Sequence, residues 1–246
     1  MLPASLDRIL QRPDADVVLD VGGWAAPLLR ADWMLDLMPY ETRGSLHPGF
    51  GPGPERFDAS RWMQRDICDR EPWPWPDDFF DFAICVTTLE DVRDPVWVCA
   101  ELSRVAKAGY VEVPTLWAEL LSWWEGPYLG CAHHRWLCEI EGEELVFLHK
   151  AHSIHDDRRL RVHRRWTKEM AVEDHLQGLF WEGGLRASER VCVGGFPHDE
   201  LAAKVRARFA PSPVEDAAEA LRARLRVARG RAAALPRAAF AKLSRR

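Results

Sequence analysis

The sequence predicts an α/β fold: a doubly wound, mostly parallel Rossmann-like sheet with helices on both faces, plus a substrate-side insertion and a basic helical C-terminal tail. Three observations carry this. Short apolar runs of strand length recur at 16–20, 33–36, 81–86 and 109–114, as strands buried on both faces require. A helical pattern separates the last two, so strand and helix signals alternate as in crossover units. The first run leads into Gly22-Gly23 and the second ends at Asp36, the pairing of a ligand turn with an acid that accepts ribose hydroxyls.

Composition bounds the rest. The 246 residues suffice for one large α/β domain or one domain with an appendage. With 47% hydrophobic and 29% charged residues, the chain has enough apolar surface to offset the entropy of ordering, which excludes disordered and fibrous classes. Twelve tryptophans call for a wide aromatic pocket or a broad packing surface. The first eighteen residues show no basic start followed by an apolar run, and no apolar window approaches the ~20 residues of a spanning helix. The six cysteines (68, 85, 99, 131, 138 and 192) are then expected as reduced thiols in a cytoplasmic protein.

Taken in order, the strand at 16–20 runs into the glycine turn, and Trp33–Asp36 is a second strand closed by Pro39. Residues 44–57 are too rich in Gly and Pro to be anything but loop. Asp81–Val86 is the next strand. Asp94-Pro95 then precedes a helix over Val96–Ala106, with apolar residues at 96, 98, 102 and 105, and Gly109–Pro114 returns as a strand. Beyond Pro114 the order changes to an aromatic stretch (Trp117, Trp123, Trp124), a hairpin around Glu141-Gly142-Glu143, a basic segment at 158–165 and a helix from Thr167 to about Leu179. Insertions of this kind carry specificity. After the Pro211-Ser212-Pro213 break, the run from Glu215 to Gly230 reads as helix. The expected organisation is an α/β domain over 1–200, with an insertion at about 115–165, and a basic helical tail over 201–246.

Charge is unevenly spread. From Leu201 onward twelve Lys or Arg face three acids, a net of +9, which leaves the preceding residues at −14. The acidic body disfavours nucleic acid as the main partner. The tail places Leu221, Leu225 and Val227 among arginines, which fits a solvated helix, an anionic membrane surface or an acidic partner.

Residues 66–114 bear a resemblance as an ordered set. The stretch Asp66-Ile67-Cys68-Asp69-Arg70-Glu71-Pro72-Trp73-Pro74-Trp75-Pro76-Asp77, then Phe80-Asp81, Leu89-Glu90-Asp91, Asp94-Pro95, Glu101-Leu102-Ser103-Arg104-Val105 and Lys107-Ala108-Gly109 resemble the class I S-adenosylmethionine-dependent methyltransferases, of the type 11-like domain. The likeness spans roughly Val17 to Pro114. It implies S-adenosyl-L-methionine as cofactor: Asp20, Gly22 and Gly23 against its methionine and ribose portions, Asp36 on the ribose hydroxyls, Asp66 and Ile67 at adenine, and Thr87 lining the methyl-bearing end. Each residue also has a structural reading, Asp36 and Asp66 as turn caps and Thr87 as a backbone partner. The chain departs from the family's three alternating glycines, with Trp24-Ala25-Ala26-Pro27 after Gly23. The resemblance therefore leaves two expectations: a methyltransferase acting on a small-molecule or carbohydrate-like acceptor at oxygen or nitrogen, or a non-catalytic protein that keeps the fold and has lost the cofactor.

An acceptor hydroxyl or amine benefits from a general base, and His133 and His134, after the last parallel strand, are the candidates. They are equally at home in a turn. Arg135 is placed to hold an anionic substrate or to lie in solvent. Cys131, His133, His134 and Cys138, with His149, His152, His155 and Asp156, are of zinc-binding type, but no second paired-cysteine knuckle accompanies them, and no metal is expected. Arg158, Arg159, Arg161, Arg164 and Arg165 alternate with Leu160 and Val162, the pattern of a charged edge strand.

Overall fold

A computed structural model describes residues 1–122 and 128–209. Trp123 and Trp124, the break at 211–213, the helix expected over 215–230 and the apolar-basic pattern from Leu221 on lie outside the described residues.

Four parallel strands pair through their predicted apolar runs: β1 (Val18–Val21), β2 (Trp33–Asp36), β4 (Phe82–Val86) and β5 (Ala108–Pro114). Two further strands complete a six-stranded sheet of order β3-β2-β1-β4-β5-β8. β3 (Trp62–Gln64) lies parallel to β2, and β8 (Leu176–Glu182) runs antiparallel along all seven residues of β5. Strand order reverses between β1 and β4, the arrangement that opens a crevice at the carboxyl ends of a doubly wound sheet. This is the doubly wound, mostly parallel Rossmann-like sheet that the sequence predicts.

One helix covers each face. On one side α2 (Pro95–Val105), capped by Asp94 through the Trp97 amide, buries Val98, Cys99, Leu102 and Val105 against Leu19, Cys85 and Val111. On the other, α1 (Pro3–Leu10) sets Ile9 among Val18, Met34, Phe82 and Tyr110. The crossovers between β1 and β2, β2 and β3, and β3 and β4 contain no α-helix. Their place is taken by irregular chain anchored by buried side chains: Leu28 and Phe57 on the α1 face, Trp73 and Trp75 on the α2 face. Several of the tryptophans therefore serve packing.

The insertion supplies two strands of a second, three-stranded sheet of order β6-β7-β9. The predicted hairpin at Glu141–Glu144 joins β6 (Trp136–Glu141) to β7 (Glu144–His149), and β9 (Arg186–Glu189) adds parallel to β7. Its Trp136, Cys138, Leu145 and Phe147 join the α2-side core. A separate core gathers α3 (Leu116–Leu120), Leu137, Leu148, Leu160 and Val162 under α5 (His198–Arg208). α5 runs across residue 200, with Leu201, Ala202 and Val205 buried in that core.

Two expectations are corrected. The segment 158–165 is no edge strand: Arg158–Leu160 and Arg164–Lys168 are single 3-10 turns. The Asp157 side chain caps the first by accepting the Arg159 amide, and Leu160 and Val162 turn into the core. The helix expected from Thr167 to Leu179 shrinks to one turn, α4 (Val172–His175), before β8 begins. Cross-strand pairing overrides local propensity there. Gly178 belongs to the strand because a Cβ would overlap the Tyr110 hydroxyl on β5.

Candidate functional site

Two groups of side chains converge on the carboxyl edge of the sheet. The first is the glycine turn with its acids. Gly22 leaves β1 at φ +78°, a left-handed conformation that glycine takes without strain. A Cβ there would overlap Thr88, whose hydroxyl donates to the Gly22 carbonyl at 3.2 Å. A Cβ at Gly23 would overlap the Asp20 carboxylate. Asp20 is buried and accepts the Leu28 amide at 2.8 Å. Burial pushes its pKa up to about 7, with the charge of Asp36 adding and the Leu28 amide opposing.

Asp36, at the end of β2, is 6% exposed. One oxygen accepts the Trp24 amide at 3.0 Å and the other the Met38 amide at 2.8 Å. Burial raises its pKa against these two bonds. Asp66 caps its own turn through the Cys68 amide (2.9 Å) and meets Arg93 at 2.5 Å. Burial opposes its charge, yet Arg93 and the Cys68 amide hold it below the usual carboxylate range. Ile67 is buried in the α2-side core, its carbonyl accepting the Trp73 indole N–H. Thr87 is exposed at φ +47°, its amide donating to the Glu112 carbonyl. Thr88, which sequence reasoning passed over, is the residue that faces the glycine turn.

The second group lies beyond β4 and β5. His134 is 10% exposed at its side chain, and its Nδ1 meets Glu119 Oε1 of α3 at 2.5 Å. Lys150 Nζ holds the other oxygen of Glu119 at 2.5 Å and the Cys131 carbonyl at 2.8 Å. Burial alone would lower the pKa of His134, but bonds to Cys131 and Glu119 and the nearby charge of Glu90 carry it up to about 10. At neutral pH His134 is an imidazolium. His133 is 72% exposed and sits edge-on to His134, with its Nε2 at 3.8 Å from Asp91 Oδ2. Glu90 is buried, with one oxygen lacking a hydrogen-bond partner, and burial pushes its pKa up to about 8.

Sequence reasoning found the two histidines but missed Glu119, Lys150, Asp91 and Glu90. The one legible signal was an acid inside an apolar helix, Leu116-Trp117-Ala118-Glu119-Leu120. Among the residues weighed as zinc ligands, Cys138 turns into the core instead, and the rings of His152 and His155 face each other, outside the group that holds His133 and His134.

The edge residues can be tested against an adenosyl ligand. Asp36 and Asp66 are carboxylates at neighbouring strand ends, as a ribose diol and an adenine amine require, and each Asp36 oxygen retains a lone pair beyond its amide bond. In placement and donor type the residues fit. No helix follows the glycine turn, however, so the dipole that would face the methionine carboxylate is lacking.

No family model and no curated protein sequence matches the chain. Among solved structures it is similar to the YcgJ protein from Bacillus subtilis, with 20% identity and a TM-score of 0.33 over 46% of this chain and 51% of that one. It is similar to a SAM-dependent methyltransferase from Aquifex aeolicus, with 17% identity and a TM-score of 0.33 over 50% and 69%. For CrArsM, an arsenic(III) S-adenosylmethionine methyltransferase from Chlamydomonas reinhardtii, the values are 17% and 0.29 over 46% of each chain. The matched region spans about half the length of the first of these and of several others. What the chain has, by its own strand order, is a doubly wound, Rossmann-like α/β fold.

Proposed function

We propose that the chain is an S-adenosylmethionine-dependent methyltransferase acting on a small-molecule or carbohydrate-like acceptor, by O- or N-methylation. The observation that carries this reading is the convergence of Gly22, Asp36, Asp66 and Thr87 on the carboxyl edge where strand order reverses. Asp36 would hold the ribose and Asp66 the adenine; bound there, the cofactor supplies an electrophilic methyl group. The remaining work is positioning. His133 and His134 stand on the insertion beside the same edge. His134, held charged by Glu119, suits binding of an anionic or hydroxyl-rich acceptor, and His133 is the group free to take a proton from it.

A second reading, a non-catalytic relative that no longer binds cofactor, is favoured by the amide bonds from Trp24 and Leu28 to Asp36 and Asp20. They give the turn a use for both acids without a ligand. Isothermal titration with S-adenosylhomocysteine separates the two. The methyltransferase reading expects saturable heat that Asp36→Asn weakens at least about tenfold, the worth of a lost charge-assisted bond pair. Absence of heat at millimolar ligand leaves the non-catalytic reading.

A further inference from the structure

Asp91, His133 and His134 bring one oxygen and two imidazole nitrogens within 4.8 Å of one another. We propose that these three residues form a binding site for a first-row divalent cation of the zinc, manganese or iron(II) type. Asp91 reaches both rings: its Oδ2 lies 3.8 Å from His133 Nε2, and its Oδ1 lies 4.0 Å from His134 Nε2. A ligand set around a cation at about 2.1 Å needs mutual spacings of roughly 3 to 3.5 Å, so small side-chain rotations close the set.

Two further features mark a metal centre and not a chance grouping. Asp91 Oδ1, the oxygen turned to His134, is buried and accepts no hydrogen bond, a cost that an ion removes. His134 meets the Glu119 carboxylate through Nδ1, and Glu119 is held by Lys150. That carboxylate–imidazole relay is how metal-ligating histidines are fixed with the opposite nitrogen presented to the ion. A cation entering replaces the proton on His134 Nε2, which leaves to solvent, while Nδ1 keeps its proton and donates it to Glu119.

Two imidazoles and one carboxylate leave coordination positions open, the composition of a catalytic and not a structural centre. It would take an oxygen ligand, a hydroxyl or carboxylate of an acceptor, and polarise it. The site is assigned from the chain's own side chains and does not depend on adenosyl binding; in the metal-bound form both imidazoles are ligands, and neither holds the acceptor nor takes its proton.

The test is Co2+ titration of the untagged full chain without nucleoside, followed by the visible absorption of the bound ion and by calorimetry. One saturable site per chain is expected, with affinity falling at least about tenfold in His133→Ala and in Asp91→Asn while His152→Ala binds as the parent does. His133 is exposed enough for its removal to leave folding intact, which circular dichroism verifies. No saturable uptake, or uptake that survives both His133→Ala and Asp91→Asn, overturns the assignment whatever the outcome with S-adenosylhomocysteine.

Discussion

Asp20 shows how a single residue ties the putting together of the turn to a measurable property. Its carboxyl is raised from 3.8 to about 7, chiefly by burial. Between those values the folded chain binds a proton that the unfolded chain has released. Stability therefore falls as pH rises from about 4 to 7, by up to roughly 1.4 kcal/mol per pH unit from this group. Asp20→Asn keeps an acceptor for the Leu28 amide and removes the titration. Urea unfolding across pH 5 to 8 should show a flatter profile in the variant; an unchanged slope would mean that Asp20 is charged in the fold. The glycine turn itself was legible because a strand running into Gly22-Gly23 marks a tight turn whatever its use. Thr88 was not, since a threonine after a strand carries no signal until Gly22 is seen packed against it.

Among elements, α2 does more than cover the sheet. Glu101 accepts the buried Trp73 amide at 2.6 Å and two bonds from Arg104, which in turn donates to the Trp73 and Trp75 carbonyls. The Trp-Pro-Trp segment that replaces a crossover helix is thus fastened to the helix on its own face. Glu101→Ala strands the Trp73 N–H and the Arg104 guanidinium, and should cost about 2–4 kcal/mol by urea denaturation. A loss under 0.5 kcal/mol would show that the segment packs independently. The strands β1, β2, β4 and β5 were predictable because burial on both faces writes a continuous apolar run, and α2 because Asp94-Pro95 opens a stretch of apolar residues at helical spacing. β3 was missed because three residues form no pattern, and β8 because its local sequence is equally compatible with helix until β5 is beside it.

For the molecule as a whole, the alternation of elements that builds the parallel sheet was readable in order along the chain. The cluster of Glu90, Asp91, Glu119, His133, His134 and Lys150 was not, because it is assembled from four separate segments that only the insertion's packing brings together. None of the described helices is long and apolar enough to cross a membrane. An adenosyl group at the carboxyl edge would be visible in a crystal structure of the chain grown with S-adenosylhomocysteine: ribose hydroxyls are expected within hydrogen-bond distance of Asp36 and adenine beside Asp66. Clear density for the turn, with Trp24 and Met38 still on Asp36 and no nucleoside at that edge, would contradict that expectation.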